Sequence, residues 1–247
     1  MAPPAFVDCH SHVVPSGDDG AGSIVDGAAL CADAAEHGTA VLFATPHIWP
    51  HLPLTPERRR GIEEAYAILR AEVDLELRLG YELTPSQALL ADDLHAYVLA
   101  GTVCVLLDTP FTGPLDLLVG LAERAESAGL RPLIAHPERS EASRADPAVV
   151  HDLAARGWHL QVNATSLLGR HGDEAEAIGW GLIESGLAAL VASDGHRLSR
   201  PARLDDAFAA VSARVGESAG RMFDGSALGL SPVSAGSTRS RAASTGA

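Results

Sequence analysis

The chain has 247 residues, 47% of them hydrophobic, and a formal charge of −14 with 18 arginines and no lysine. Such a length buries a sizeable core in one barrel-sized domain or two small ones, and the acidic balance argues against gripping nucleic-acid phosphates over a broad surface. The three scattered cysteines, Cys9, Cys31 and Cys104, give no disulfide framework and suit a reducing cytoplasm.

The first element is the strand-like run Phe6-Val7-Asp8-Cys9-His10-Ser11-His12-Val13. Alternation along a strand turns Asp8, His10 and His12 to one face and Cys9 and Ser11 to the other. Two imidazoles two residues apart, with a carboxylate behind them, can grip one divalent metal. Ser23 reads as the N-cap of an Ala-rich amphipathic helix over 24–37 that stops at Gly38. Residues 39–44 form a second buried strand ending in Thr45-Pro46-His47, and Thr55-Pro56-Glu57 opens a helix with proline in its first turn. A third strand over 75–79 ends in Gly80-Tyr81-Glu82, and a fourth over 102–107 ends in Asp108.

A helix over 114–128 precedes the fifth strand, 132–135, which runs into His136-Pro137-Glu138-Arg139. A helix over 147–156, a sixth strand over 158–162 ending in Asn163, and a helix over 172–185 follow. The seventh strand, 187–192, leads into Ser193-Asp194-Gly195-His196, and 203–215 is the last helix. The organisation expected is one domain over 1–229. The Ser, Gly, Ala, Thr and Arg composition of 230–247 reads as a disordered tail in which Arg239 and Arg241 are solvated charges. No secretory leader is visible. The longest uncharged apolar run, 96–107, is 12 residues, where a membrane span needs about 20. The expectation is a cytoplasmic protein without membrane insertion.

Strands alternating with helices at intervals of about 30 residues imply parallel βαβ units. The polar residues choose between a closed barrel and an open sheet. Candidate ligands follow strands one to five and strand seven, and only a barrel brings all those carboxyl ends to one mouth. The fold class expected is α/β, a seven-stranded (β/α) barrel with its site at the strand carboxyl ends.

The strand-end set is His10, His12, Asp19, His47, Glu82, Asp108, His136, Asp194 and His196. These nitrogen and oxygen donors are too many for one ion and suit two or three divalent metals with Glu82 bridging. Imidazole mixed with carboxylate fits Mn, Fe or Zn, and the lack of thiolate argues against a structural zinc. Clustered metals activate a bridging water and clamp the oxygens of an in-line displacement, so phosphoester hydrolysis is the natural chemistry. A guanidinium fits phosphate oxygens bidentately. Arg139, three residues after His136, and Arg200, four after His196, are the candidates, although Arg200 reads equally as a surface charge.

Other residues carry plainer readings. His37 reads as a helix C-terminal cap. His95, His151 and His171 fall on helices or turns, and His51 lies in the loop after His47. His159 shares strand parity with Gln161 and Asn163 in a hydrogen-bonded interior. Cys9 reads as core, Glu138 as a solvated or Arg-paired carboxylate, and Trp49 as loop packing or an aromatic wall for a substrate ring. A cysteine-based phosphatase is excluded, because the positions six after the cysteines are Pro15, His37 and Pro110. Without lysine there is no phosphate-loop lysine, and Gly17, Gly20 and Gly22 are mis-spaced for a dinucleotide fingerprint.

The series His10-Ser11-His12, Asp18-Asp19-Gly20, Ala44-Thr45-Pro46-His47, Gly80-Tyr81-Glu82, His136-Pro137-Glu138-Arg139, Ser166-Leu167-Leu168-Gly169 and Ser193-Asp194-Gly195-His196 resembles the motifs of the PHP (polymerase and histidinol phosphatase) superfamily. It is most similar to the CpsB-type bacterial protein-tyrosine phosphatases of capsule and exopolysaccharide systems, over residues 6–205. The resemblance implies a distorted (β/α)7 barrel with three metals, often manganese, that dephosphorylates the Tyr-rich tail of a tyrosine kinase. It implies His10, His12, Glu82 and Asp194 around one metal; Glu82, Asp108 and His136 around a second; and Asp19, His47 and His196 around a third. Arg139 and Arg200 match the family's phosphate-binding arginines. The chain departs from the pattern at Asp108-Thr109-Pro110, where the family has Glu before Phe-Pro, and in the loop Ile48-Trp49-Pro50-His51-Leu52-Pro53.

The function expected is a metal-dependent protein-tyrosine phosphatase, in which a metal-bridging hydroxide attacks phosphorus and His47 or His196 supplies a proton through water. A small-molecule phosphatase of the histidinol phosphate type shares the same site, and a non-catalytic metal-binding module is the reading from another class. Oligomeric state is not set by these patterns.

Overall fold

Nine parallel strand segments occupy seven positions around a ring, in a computed structural model that describes residues 3–231. The composition-biased tail expected over 230–247 lies, from residue 232 on, outside the described residues. The strands are β1 (Phe6–Ser11), β2 (Thr39–Ala44), β3 (His47–Ile48), β4 (Glu76–Leu79), β5 (Glu82–Leu83), β6 (Cys104–Asp108), β7 (Arg131–Ala135), β8 (His159–Asn163) and β9 (Ala188–Ala192). They pair in the orders β1-β2-β4 and β3-β5-β6-β7-β8-β9.

Two of the seven expected strands are each broken in two. β3 prolongs β2 beyond Thr45-Pro46, and β5 prolongs β4 beyond Gly80-Tyr81. Proline has no amide to donate to a ladder, which ends β2. At Gly80 the wall closes on Leu99, whose Cδ2 would lie 2.4 Å from an added Cβ. The short extensions pair in register, His47 opposite Glu82. The ring returns to its start where Asp194 N donates to His10 O at 2.9 Å and His12 N donates to Gly195 O at 2.7 Å. That seam is a single parallel bridge, Ser11 with Gly195, which is the distortion of this (β/α)7 barrel.

Helices wrap the ring from outside. Ser23 accepts from Asp26 N to start Ile24–Glu36, as expected of it, and at the helix expected to open at Thr55-Pro56-Glu57 the Thr55 side chain accepts from Arg58 N to start Pro56–Glu72. Asp116–Ser127 buries Leu118, Leu121, Ala122 and Ala125 at helical spacing. Below the ring, Phe6, Phe208 and Phe223 form a cluster with centroids 5.4, 5.9 and 5.3 Å apart. Among the described residues no helix is long and apolar enough to cross a membrane, and Cys9, Cys31 and Cys104 are buried and unbonded.

Strand alternation explains how the barrel interior divides in two. Val7, Cys9, Val41, Phe43, Cys104, Leu106, Leu133, Ala135, Leu190 and Ala192 form an apolar plug, joined by Leu99 and Leu228. Two residues beyond Leu106 the inward position is Asp108, and two beyond Ala192 it is Asp194. The plug therefore hands over to polar side chains at the mouth.

The simple alternation expected from Asp8 to His12 does not hold. Asp8 pairs with Leu42 and Ser11 with Ala44, so three steps on β1 match two on β2. This bulge leaves Cys9 in the plug while His10 and His12 still reach the mouth. Asp8 turns to the seam instead, accepting from His10 N at 3.3 Å and Ser193 N at 3.1 Å.

Candidate metal centre

All nine strand-end donors converge on the mouth. Glu82, paired with Leu106 on β6 and His47 on β3, stands in the middle. Its Oε2 is 3.1 Å from His10 Nε2, 3.3 Å from His12 Nε2 and 2.9 Å from His47 Nδ1, and its Oε1 is 3.0 Å from His136 Nε2. Asp194 Oδ1 lies 3.5 Å from both His10 Nε2 and His12 Nε2, and 3.4 Å from His196 Nδ1. Asp19, half exposed on its loop, is 3.3 Å from His196 Nε2 and 3.6 Å from His47 Nε2. Asp108 Oδ1 is 3.7 Å from His136 Nε2, while its Oδ2 accepts from Thr84 Oγ1 at 2.8 Å.

These contacts bring imidazole nitrogens and carboxylate oxygens together around Glu82. Glu82 Oε2 is buried without a hydrogen-bond partner of proper geometry, although three imidazole nitrogens surround it. An unpartnered buried carboxylate oxygen is costly unless a charge is brought to it. Four groups have donor atoms within 4.8 Å of one another: His10 with His12 and Asp194, His10 with Glu82 and His136, His47 with Glu82 and Asp108, and His12 with His47 and His196. The donor set thus fits divalent metals. These groups divide the donors differently from the sets the resemblance implies: Asp108 is grouped with Glu82 through His47, His136 with Glu82 through His10, and His47 and His196 with His12, while Asp19 lies 3.6 and 3.3 Å from those last two imidazoles.

Backbone strain concentrates here too. Among the described residues only two other than glycine have positive φ, His136 at 35° and Asp194 at 53°. Such conformations cost about 1–3 kcal/mol each and persist where the surroundings over-determine them. At His136 the αL turn throws Pro137–Arg139 back over the mouth.

The electrostatics follow from burial against neighbours. Burial would raise Glu82 and Asp194, but the histidines around both, and Arg200 beside Asp194, hold them well below the usual carboxylate range. At Asp108 the compensation from Thr84 and His10 is too small. Burial and the Glu82 charge push it up to about 8. His196 is pushed down to about 4 by burial and the neighbouring His12.

Asp194 divides its oxygens. Oδ1 faces the imidazoles, whereas Oδ2 accepts from Asn163 Nδ2 at 2.7 Å, from Arg139 Nη1 at 3.1 Å and from Arg200 Nη2. Both predicted arginines therefore lean over the cluster. Arg139 also lies over the Phe111 ring, 4.5 Å from its centroid.

Several supporting residues were not assigned roles from the sequence. Gln161 Oε1 is 3.0 Å from His10 Nδ1, and Gln161 Nε2 donates to Asn163 Oδ1 at 2.8 Å. Their inward parity on β8 was the available signal. Asp18 lies 3.6 Å from His12 Nδ1 and accepts from His47 N at 2.9 Å; it stands in the motif that supplied Asp19. Glu138, expected to be solvated or Arg-paired, is instead fully buried and accepts from Ser166 Oγ at 2.7 Å and Asn163 N at 3.0 Å. His171, read as background, sits 2.9 Å from Ser166 Oγ and is pushed down to about 4 by burial and by Arg139 and Arg200. Phe111 carried no sequence signal. His37 behaves as expected, its Nδ1 2.8 Å from Asp33 O at a helix end.

A cleft of about 450 Å³ opens beside Asp19 and His196, lined further by Asp26, Leu30, Arg197 and Leu198. Fold and site together define a class, a parallel (β/α) barrel with a crowded imidazole–carboxylate centre and two arginines at the carboxyl ends of its strands. The chain belongs to the CpsB/CapC family, described as capsular polysaccharide synthesis, whose model matches residues 6–224.

Among its relatives, the tyrosine-protein phosphatase YwqE of Bacillus subtilis is 28% identical over 208 residues, covering 78% of each chain. The putative tyrosine-protein phosphatase CapC of Staphylococcus aureus is 26% identical over 214 residues, covering 82% of each. Superposition matches a chain from the crystal structures of YwqE from Bacillus subtilis and CpsB from Streptococcus pneumoniae, described as unique metal-dependent tyrosine phosphatases. The TM-score is 0.81 at 25% identity, over 93% of this chain and 97% of that one.

Proposed function

We propose that this protein is a metal-dependent phosphomonoesterase acting on phosphotyrosine in proteins, with a tyrosine kinase tail as the substrate. The observation that carries the reading is the pair Arg139 and Arg200, both held at Asp194 Oδ2 on the edge of a donor cluster whose central carboxylate oxygen lacks a hydrogen-bond partner. The names of the relatives support the same chemistry. Two or three divalent ions, manganese foremost, would be held by His10, His12, Glu82 and Asp194, by Glu82, Asp108 and His136, and by Asp19, His47 and His196. Bound there, they supply Lewis acidity and a nucleophile at neutral pH.

The chain's own residues do the rest. Arg139 and Arg200 take the non-bridging phosphate oxygens as charge builds, and partial burial makes those contacts stronger than in water. Asn163 keeps its bond to Asp194 Oδ2, so the carboxylate stays in place when the guanidiniums turn to substrate. His196, pushed down to about 4 by burial and His12, is a neutral imidazole near neutral pH, the form that ligates a metal. A tyrosine phenolate, with a pKa of about 10, departs with less help than an alkoxide.

The experiment is phosphate release from a phosphotyrosyl peptide and from histidinol phosphate by metal-stripped protein with Mn²⁺ added back. Peptide turnover that depends on metal, and that falls about a hundredfold in Arg139→Ala, is the expected result. Turnover of histidinol phosphate alone overturns the protein substrate, and no metal-dependent release from either overturns the phosphatase.

A further inference from the structure

The chain has eleven aromatic side chains (5 Phe, 3 Trp and 3 Tyr), and among them only Phe111 is left exposed, at 49%. It stands three residues beyond Asp108, on the loop that follows β6. Its ring centroid is 5.7 Å from the His136 ring and 4.5 Å from the Arg139 guanidinium carbon. The ring's place is set by the backbone rather than by burial. Phe111 O accepts from Glu141 N at 2.8 Å, and Thr109 Oγ1 donates to Ala135 O at 2.6 Å. A large apolar ring kept in water at the rim of a polar site costs free energy unless a ligand covers it.

Trp49 does not compete for that role. Its ring is nearly parallel to His47 at 4.5 Å and to His51 at 5.2 Å, so it is taken up in bracing the His47 imidazole. Phe111 has Arg139 over its ring and His136 beside it, and about half of it is open.

We infer that Phe111 is the residue that selects aromatic phosphate esters. With the phosphate at Arg139, the ester's ring leaves the pocket beside Phe111, within the centroid separation of about 4.5–7 Å at which aromatic pairs attract. Phe111 acts on the ring alone and leaves phosphate binding to Arg139 and the metals. This specificity role rests on the phosphatase reading for its biological meaning but has its own binding test.

The test is calorimetric titration of the Mn²⁺-loaded protein with phenylphosphonate, methylphosphonate and inorganic phosphate, for wild type, Phe111→Ala and Phe111→Tyr. Wild type binds phenylphosphonate more tightly than methylphosphonate. Phe111→Ala loses about five- to tenfold in phenylphosphonate affinity with phosphate affinity within twofold, and Phe111→Tyr retains the preference. Equal loss for all three ligands in Phe111→Ala overturns the inference and makes Phe111 a support for Arg139. An unchanged preference in Phe111→Ala, or no preference in wild type, overturns it as well. Wild type that prefers phenylphosphonate yet turns over no phosphotyrosyl peptide fails the protein-substrate reading while leaving the aryl wall standing.

Discussion

Glu138 shows how one buried side chain ties the mouth together. Its Oε1 holds Ser166 Oγ and Asn163 N, its Oε2 is unpartnered, and burial pushes its carboxyl up to about 7. A folded-state value above the ordinary carboxylate value means that the fold favours the protonated form. That contribution is complete below about pH 4 and is lost as pH rises through about 7. Glutamine keeps the acceptor oxygen and removes the ionisation. In urea titrations of metal-stripped protein at pH 5.5 and pH 8, wild type is expected to lose more stability over that interval than Glu138→Gln; equal losses would place the titration elsewhere. Asp108 is another residue whose environment conflicts with charge, being pushed up to about 8 with Thr84 donating to it. Metal must displace its proton. Asp108→Asn, which keeps the Thr84 contact, is expected to bind one metal fewer per chain by native mass spectrometry, while the metal-stripped variant melts as the metal-stripped wild type does. A full metal complement would remove Asp108 from the ligand set.

At the scale of elements, the turns after the strands place the chemistry as much as the strands do. The break at Thr45-Pro46 lets β3 re-pair with β5, which sets His47 opposite Glu82. On the other side of the ring, the seam between β9 and β1 depends on Gly195. An added Cβ there would lie 2.6 Å from Ala202 Cα, and at Gly20 it would lie 2.4 Å from His12 O. Both clashes involve backbone atoms that cannot swing aside. Gly195→Ala is expected to cost about 1–3 kcal/mol, read as a lower urea midpoint, together with weaker metal binding, because Asp194 and His196 flank the distortion. Wild-type stability in this variant would show that the seam is softer than its close approach implies.

For the whole molecule, the barrel has an apolar floor and a mouth in which like groups crowd one another. Val7, Phe43, Leu106, Leu133 and Leu190 fill the floor, with Leu228 packed against them. The mouth holds carboxylates and imidazoles that partner one another only in part, with Glu82 Oε2 unpartnered and Asp108 pushed towards its protonated form. Metal should therefore stabilise the entire fold. At free metal a hundred times Kd the gain is about 2.7 kcal/mol, and about 2–4 °C per kcal/mol for a domain of this size puts the loaded protein roughly 5–11 °C above the stripped one in a thermal melt. Identical melts would mean that the cluster binds no metal in the folded state.

The local sequence determined the order and type of the seven strand positions and the six longer helices, because hydrophobic period, caps and glycine stops depend on neighbours along the chain. The short helices Gln87–Leu90, Glu141–Ala145 and Ala164–Leu167 were not expected. Ser23 caps the helix it was expected to cap, and the helix expected to open at Thr55-Pro56-Glu57 does so. The strand-end positions of His10, Glu82, Asp108, His136 and Asp194 were legible as well, since a polar residue closing an apolar strand stands out in one dimension. Their division into ligand sets came from the resemblance. Tertiary structure alone decided the rest: the bulge that separates Asp8 from the histidines, the burial of Glu138, the sharing of Asp194 between imidazoles and arginines, and the exposure of Phe111 beside Arg139. Each of these is a contact between residues far apart in the chain, made when the ring closes. Residue type and spacing carry no record of such a distance; packing sets it.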